Sequence, residues 1–507
     1  MTASTSVPST TEAVSRALES FAELPDWLAA LMRPGRLEGS LRRHVAEVAD
    51  GRLEIVSCRP DQLRAKDDQW HARCRVTIAK PTPAPDSAPS GSSTDPADPA
   101  DPAGPADLRE VVLVGLLYPP DRAAPDPLPS SRLPFGTEGY EVWLPDLRVH
   151  LATEEADPGL PSLGDLTDPE ASARLIEDML RGGGHPEARV RSATPDIARY
   201  KPGSRCTIVY DMTYESDTPG LPDPVIAKTH QGDKGAFAHQ AMTALWATPL
   251  AEGRSVLIAE PLGYLPDERI LLQGPVPEDR TLKELCVEAF ETGDPDLLEA
   301  LRGHLSETAR ALAALHTSGA AYPRTVTVDD WMAETREVVE RLGHTVPELP
   351  TWAAPLIATL EHLDASTPAD PLVSSHHDFR PAQVLLSEAG LAFIDFDGAA
   401  MAEAGLDIGR FRGKLRDIGV TALAAQPEGY REDLLRDRLE LLDVMCDDFL
   451  ADYRRHADVS PGRVELWEMI DLFMALLHTW TKVRLLRVHP RLAIVLHRLQ
   501  ALGAPTP

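Results

Sequence analysis

Residues Ser374 to Arg410, SSHHDFRPAQVLLSEAGLAFIDFDGAAMAEAGLDIGR, constrain this chain more than any other stretch. The first half reads His376-His377-Asp378, four residues, then Gln383. The second is an apolar run, Leu391-Ala392-Phe393-Ile394, that stops at Asp395-Phe396-Asp397. Val384–Leu386 and Leu391–Ile394 flank Ser-Glu-Ala-Gly, a composition that suits a β-hairpin. That hairpin would bring Asp378 and Gln383 close to Asp395. An acid, an amide and a second acid around one gap is what phosphoryl transfer requires. One carboxylate takes the proton of the attacking hydroxyl, while the amide oxygen and the other carboxylate hold Mg²⁺ against the phosphates.

Composition bounds the rest. At 507 residues and 43% hydrophobic content the chain can fill two or three cores. Lys plus Arg number 50 against 79 Asp plus Glu, a net charge of −29. This argues against a nucleic-acid binder, which needs a basic face to neutralise phosphates. The five cysteines, 58, 74, 206, 286 and 446, are scattered with no CxxC and read as reduced thiols. The start, MTASTSVPSTTEAVSRALES, has neither the basic nor the apolar region of a signal peptide, and no apolar window of about 18 residues suggests a membrane span. A soluble cytoplasmic protein is expected, with no membrane and no nucleic acid among its partners.

Along the chain, helical patterns at Thr11–Leu31 and Leu41–Val48 precede strand-like runs at Leu53–Cys58 and His71–Ile78. Residues 80–107 carry a DPA repeat and almost no apolar bulk beyond alanine, which predicts a disordered loop. Val111–Tyr118 reads as a buried strand, 134–152 as a strand pair, and Asp165–Arg181 as a helix ended by three glycines. From Val190, two strands joined by Lys201-Pro202-Gly203-Ser204 lead to a third at 224–230 carrying Lys228. A helix at Gly235–Trp246 and two strands, in SVLIAEPLGYL and ERILLQG, follow. Beyond Thr281 the pattern is helical. Leu298, Leu301, Leu305, Thr308, Leu312 and Leu315 share one face, Val328–Leu342 and Trp352–Leu363 follow, and Glu428–Arg455 and Arg463–His489 read as two long helices. The two β-rich regions echo each other: RPDQLRAKDDQWHARC and TPDIARYKPGSRC both carry P-D, R-x-K and R-C before a β-rich run. Aligning the strands sets Gly115 near Lys228, so residues ~50–125 read as a degenerate copy of the later sheet, an origin that chance similarity equally allows.

HHDFRPAQ and IDFD, followed by DIG, resemble the catalytic segment of the aminoglycoside phosphotransferase-like family, in the protein-kinase-like superfamily. The resemblance implies an α+β, two-lobed kinase-like fold, with a small antiparallel β lobe at 182–280 and a large helical lobe at 281–507. Residues 1–181 would be an extra N-terminal α+β cap or docking domain. It implies an ATP- or GTP-dependent, Mg²⁺-requiring phosphotransferase acting on a hydroxyl of a small molecule (aminoglycoside-like, sugar or amino alcohol) or of a peptide Ser/Thr. Asp378 would be the catalytic base, Gln383 and Asp395 the metal ligands, and Asp407 the acid after the metal loop. Lys228 would contact phosphates, with the turn Pro202-Gly203-Ser204-Arg205 covering them through backbone N–H groups. Gln273 and Gly274 would sit at the adenine-holding hinge, and His316, in ALAALHTSG, would be a packing residue. Two features depart from the pattern. Gln383 stands where the family usually has Asn, as it does in some maltokinase-like members. The helix after Lys228 offers His239 and Gln240 but no Glu to orient the lysine. These departures motivate the alternative of a nucleotide-binding pseudokinase or scaffold.

Overall fold

The computed structural model describes residues 25–503 except 34, 67–68, 81–107, 122–132, 138, 154–159, 202–203, 216–218, 426–430 and 485–486. All but Lys80 of the loop expected at 80–107 and the first part of the Thr11–Leu31 helix lie outside the described residues. Two five-stranded antiparallel sheets dominate the first half. The first consists of β1 (Glu54–Lys66), β2 (Gln69–Ala79), β3 (Arg109–Leu117), β4 (Glu141–Leu144) and β5 (Val149–Thr153), ordered β1-β2-β3-β5-β4. β1 is longer than expected and runs on through Pro60, where the ladder to β2 shifts register; a bulge accommodates a proline that cannot donate to the ladder. The strand alternation of β2 turns Trp70, Ala72, Cys74, Val76 and Ile78 inward against Leu28, Leu31, Leu37 and Leu41 of the preceding helices.

The second sheet holds β6 (Val190–Lys201), β7 (Arg205–Tyr214) and β8 (Val225–His230). After the helix Lys234–Trp246 and the short β9 (Leu257–Ile258) come β10 (Pro261–Leu265) and β11 (Ile270–Gln273). Its order, β6-β7-β8-β11-β10, repeats the first sheet's order, so the echo in the sequence reflects matching topology. Gly115 of β3 is required by packing: a Cβ there would lie 1.7 Å from the His150 carbonyl oxygen of β5. No lysine stands in β3. The run SVLIAEPLGYL divides between two sheets, because β9 leaves the second sheet to pair in parallel with β15 (Gly390–Phe393).

The expected helix at Asp165–Arg181 is two, Leu163–Thr167 and Pro169–Gly182. Asp168 between them accepts from the backbone N–H of Glu170 and Ala171, with Pro169 opening the second helix. Ile176, Met179 and Leu180 of that helix pack into the core of the second sheet, together with Ile208, Tyr210 and Leu272.

The remaining residues form a helical lobe around one large core. The helix Leu282–Thr292 starts at a reciprocal Thr281–Glu284 capping box. Pro295–His316, Val328–Gly343 and Leu349–Ser366 follow, and Glu432–Arg454 and Pro461–Thr481 lie near the end. The long helix expected to reach His489 stops at Thr481. Val483 adopts a left-handed φ of 48°, and a new helix, Val488–Ala501, takes Pro490 into its first turn. Val483 also packs against the core of the first sheet, tying the two regions together.

At the centre of this lobe lies the helix Ala404–Thr421. Gly405, Gly409 and Gly413 face the helix Pro461–Thr481, and a Cβ on Gly409 would stand 2.4 Å from the Glu468 amide nitrogen. The close approach buries Glu468 against Arg412 (3.0 Å) and Arg416 (2.6 Å). Burial would raise the Glu468 carboxyl, but Arg412, Arg416 and Arg498 outweigh it and hold the pKa at about 2.

Candidate active site

The constraining stretch folds as a loop clamped at its base and pinned in its middle. β13 (Leu372–Ser375) pairs antiparallel with β16 (Ala400–Glu403), so Ser375 opposite Ala400 closes the loop. Within it, β14 (Val384–Ser387) and β15 form the expected hairpin, extended on one side by β12 (Arg280–Thr281). Asp407, in the first turn of the helix Ala404–Thr421 and fully buried, pins the loop. Its carboxylate accepts from the His376 and His377 backbone N–H groups, both at 2.7 Å, from Ser375 Oγ at 2.9 Å and from His316 Nε2 at 3.1 Å. Burial raises the Asp407 carboxyl, but His316, His376 and Ser375 outweigh it and hold it below the ordinary carboxylate range. His316 is thus a packing residue with two hydrogen bonds, the other to Tyr453. Two residues of the loop take left-handed backbone without being glycine, His377 at φ 69° and Asp395 at φ 72°. Such strain costs about 1–3 kcal/mol per residue and persists only where surroundings enforce it. At His377 the enforcing contact is the Asp407 bond.

The hairpin brings the predicted acids and amide together. Gln383 Nε2 donates to Asp395 Oδ2 at 3.0 Å. Lys228 Nζ reaches across from β8 to Asp395 Oδ1 at 3.2 Å and lies 3.8 Å from Asp397 Oδ1. Burial would lower the lysine's pKa, but Asp397 and Asp395 outweigh it, so the ammonium stays charged. The acid that orients Lys228 therefore comes from the IDFD segment and not from the following helix. The helix after β8 instead stacks His239 on Tyr264. Asp378 accepts from Arg410 at 2.8 Å and lies 3.1 Å from Arg380. Burial raises its carboxyl, yet Arg410 and Arg380 hold it below the ordinary range.

The three aspartates of this cluster, Asp378, Asp395 and Asp397, wall a cavity of about 580 Å³ together with Asp330, Trp331 and Glu334 of the helix Val328–Gly343, while Gln383 and Lys228 lie buried behind them. Arg410 stacks over the Trp331 ring, 5.6 Å from its centre. Of the predicted nucleotide contacts, Lys228, Ser204, Gln273 and Gly274 do not line this cavity; Lys228 reaches it only through Asp395 and Asp397. The Gly274 N–H is taken by the Glu260 carbonyl at 2.9 Å, and Gly203 lies outside the described residues.

Sequence reasoning placed Arg205 in the phosphate-covering turn for its backbone N–H but gave its side chain no role, and it did not single out Asp397, the second acid of IDFD. Asp397 accepts from His230 Nε2 at 2.8 Å and, with Arg205 3.5 Å away, completes an ion cluster across the two lobes. Asp397 could have been found from the repeated acid in its motif. Arg205 needed the β7–β8 register. Trp331, Glu334 and Arg410 carry no local motif.

The donor set fits Mg²⁺. Two carboxylates and a neutral amide oxygen are hard ligands, and Asp397 Oδ1 is buried with no hydrogen-bond partner. Among the described residues no three His, Cys, Asp or Glu side chains form a closed metal cage. Mg²⁺ at phosphates needs none, since it keeps waters and phosphate oxygens.

Residues 287–443 match the model of the phosphotransferase enzyme family. A glucosamine kinase from Streptacidiphilus jiangxiensis is 30% identical over 270 residues, spanning 49% of this chain and 60% of that relative's length. Among solved structures, a glucosamine kinase in complex with glucosamine, ADP and inorganic phosphate is similar at a TM-score of 0.44 and 18% identity. That similarity covers 72% of this chain and 89% of that one. The choline kinase LicA from Streptococcus pneumoniae is similar at 0.41 and 13%, covering 64% and 99%. The match to the phosphotransferase family covers the hairpin, Asp378, Gln383, Asp395 and Asp407. Among the described residues no helix is long and apolar enough to cross a membrane.

Proposed function

We propose that the protein transfers the γ-phosphoryl group of ATP or GTP to a hydroxyl of a small molecule, with an amino sugar as the favoured acceptor class. The observation that carries this is the convergence of Asp378, Asp395 and Asp397 on one cavity of about 580 Å³, with Gln383 and Lys228 bonded to Asp395. That volume suits a small acceptor beside nucleotide phosphates.

Asp378 is the residue assigned to the acceptor. Its carboxyl is held ionised by Arg410 and Arg380, so it accepts a hydrogen bond from the acceptor hydroxyl and aligns it in line with the phosphorus. In the loose transition state of phosphoryl transfer the proton moves to Asp378 late, which suits a weakly basic carboxylate. Lys228 pairs with phosphate oxygens. Asp395, Gln383 and Asp397 would hold Mg²⁺, which supplies charge neutralisation at the phosphates when bound. For Gln383 this requires its amide to turn so that Oε1 faces the site. The Trp331 face, with the Asp330 and Glu334 carboxylates on the same wall, suits a sugar ring bearing an ammonium group. The relative named glucosamine kinase supports the same class. The pairing of Lys228 with Asp395 favours a working phosphotransferase over a pseudokinase. We also propose that the first sheet acts as a cap or docking unit, supported by its packing against the large lobe through Val483.

The test is ATP and GTP consumption by the full chain with Mg²⁺ across glucosamine, N-acetylglucosamine, glucose, maltose, choline and an aminoglycoside, with Asp378→Asn alongside. Transfer to at least one acceptor is expected, falling ~10²–10⁴-fold in Asp378→Asn. Nucleotide consumption unaffected by that substitution would overturn the assignment.

A further inference from the structure

We propose that Arg205 is a second phosphate-binding cation of the nucleotide site, parked on the Asp395 and Asp397 carboxylates until metal-bound nucleotide enters. The inference rests on the phosphotransferase reading and adds a residue to it.

The sheet register places Arg205 where it can act with Lys228. Arg205 of β7 lies opposite His230 of β8, and Thr207 lies opposite Lys228. Side chains two apart on a strand share a face, so Arg205 and Lys228 are diagonal neighbours on the face that looks into the cleft. Diagonal neighbours sit about 7–8 Å apart, within reach of two long side chains for one ligand. Both aim at the same acids. The Arg205 guanidinium is 3.7 Å from Asp395 Oδ2 and 3.5 Å from Asp397 Oδ2, while Lys228 takes the Oδ1 atoms.

The two cations differ in how they are spent. Lys228 makes a hydrogen bond to Asp395. Arg205 is held by charge alone: among the described residues its N–H groups make no side-chain hydrogen bond at these distances, and the side chain is 22% exposed at the wall of the cavity. On the same carboxylate the other oxygen, Asp397 Oδ1, lies 3.8 Å from Lys228 and is buried without a hydrogen-bond partner among the described residues. A planar guanidinium with unspent donors, facing carboxylates that a divalent cation would neutralise, is matched to phosphate oxygens, which accept its N–H pairs two at a time. A purely structural Arg205 would instead have its donors committed to the carboxylates. Entry of Mg²⁺-bound nucleotide thus exchanges partners: the carboxylates pass to the metal and the guanidinium to the phosphates.

The experiment measures binding of adenosine, ADP and ATP, with the guanine series in parallel, to the full chain and to Arg205→Gln and Arg205→Lys in the presence of Mg²⁺. Arg205→Gln should weaken the triphosphate about tenfold or more, weaken the diphosphate less, and leave the nucleoside within about twofold. Arg205→Lys should fall between. Retained nucleoside binding reports that the variants are folded. Equal loss for nucleoside and triphosphate would make Arg205 a lobe-holding residue and overturn the proposal, as would no loss for either. If the unsubstituted chain binds none of the nucleotides, the phosphotransferase reading fails first and takes the proposal with it.

Discussion

Replacing Asp407 by Asn changes one atom of a side chain that never reaches the cavity, yet it should loosen the whole catalytic loop. The wild-type carboxylate receives four hydrogen bonds, three on Oδ2 and one on Oδ1. An Asn oxygen at the Oδ2 position keeps the three as neutral bonds. Its NH₂ then meets the His377 N–H, donor against donor, at the 2.7 Å where the carboxylate accepted. One charge-assisted bond is worth about 1.5–3 kcal/mol, and three others fall to neutral strength near 1 kcal/mol each. Removing the charge from such a buried cluster costs about 3–5 kcal/mol, and the left-handed His377 loses its restraint. The assay is urea unfolding of the full chain followed by tryptophan fluorescence, with Trp331, Trp467 and Trp480 all in the large lobe. The unfolding midpoint of Asp407→Asn should drop by the equivalent of about 3–5 kcal/mol, and phosphotransfer should fall with it. A variant that unfolds within 1 kcal/mol of wild type and transfers phosphate normally would refute the view that Asp407 enforces the loop.

Two further outcomes are expected. Gln383→Ala should raise the Mg²⁺ concentration needed for half-maximal nucleotide binding by about tenfold or more. Gln383→Asn and Gln383→Glu, which keep a hard oxygen, should move it far less; an unchanged Mg²⁺ requirement in Gln383→Ala removes the residue from the metal site. In acid, groups with depressed folded pKa values contribute stability that is full above their unfolded values of about 3.9–4.3 and is lost as pH falls through the folded ones. With Glu468 and Asp443 held at about 2 and Asp407 and Asp378 lowered, the urea midpoint should fall steeply between about 4 and 2. A gentler decline precedes it from about pH 6.5, because burial holds His377 at about 4 and His478 at about 3, so that they stay neutral while the unfolded chain's histidines take up protons. A Glu468→Gln variant should show a shallower fall, and equal slopes would discount that buried cluster.

The geometry of the candidate site loop was legible because it is local: Asp378, Gln383 and Asp395 fall within 18 residues, and a hairpin of ordinary composition folds them together. The β–helix–β order of residues 190–273 was legible because apolar runs and turns punctuate it clearly. Long-range pairing was not. Lys228 meets Asp395 across 167 positions, and nothing around β8 signals that its acid lies beyond the next helix. The cavity's far wall was hidden for the same reason, since Asp330, Trp331 and Glu334 read as an ordinary amphipathic helix until tertiary packing turns them toward Arg410. The break at Val483 escaped because Leu466–Trp480 is apolar around most of its circumference, and periodicity does not mark where a buried helix stops. The repeated strand order was half visible, in the shared R-C, and only pairing made it plain.

The glycine face of the helix Ala404–Thr421 divides the site into parts with different freedom to change over generations. A methyl group at Gly405 or Gly409 would meet Trp467 or the Glu468 backbone below 3 Å. That helix carries Asp407 and Arg410, so any shift in it displaces the residues around Asp378 together. It tolerates almost no drift, and descendants of this chain should keep its chemistry nearly frozen. The helix Val328–Gly343 is different: Asp330 is tied to Thr327 in the box that caps its start, but Glu334 is exposed and bears on the cavity without supporting a core. New acceptors should be won there, by exchanging side chains on a wall that can vary while the reacting centre behind it stays still.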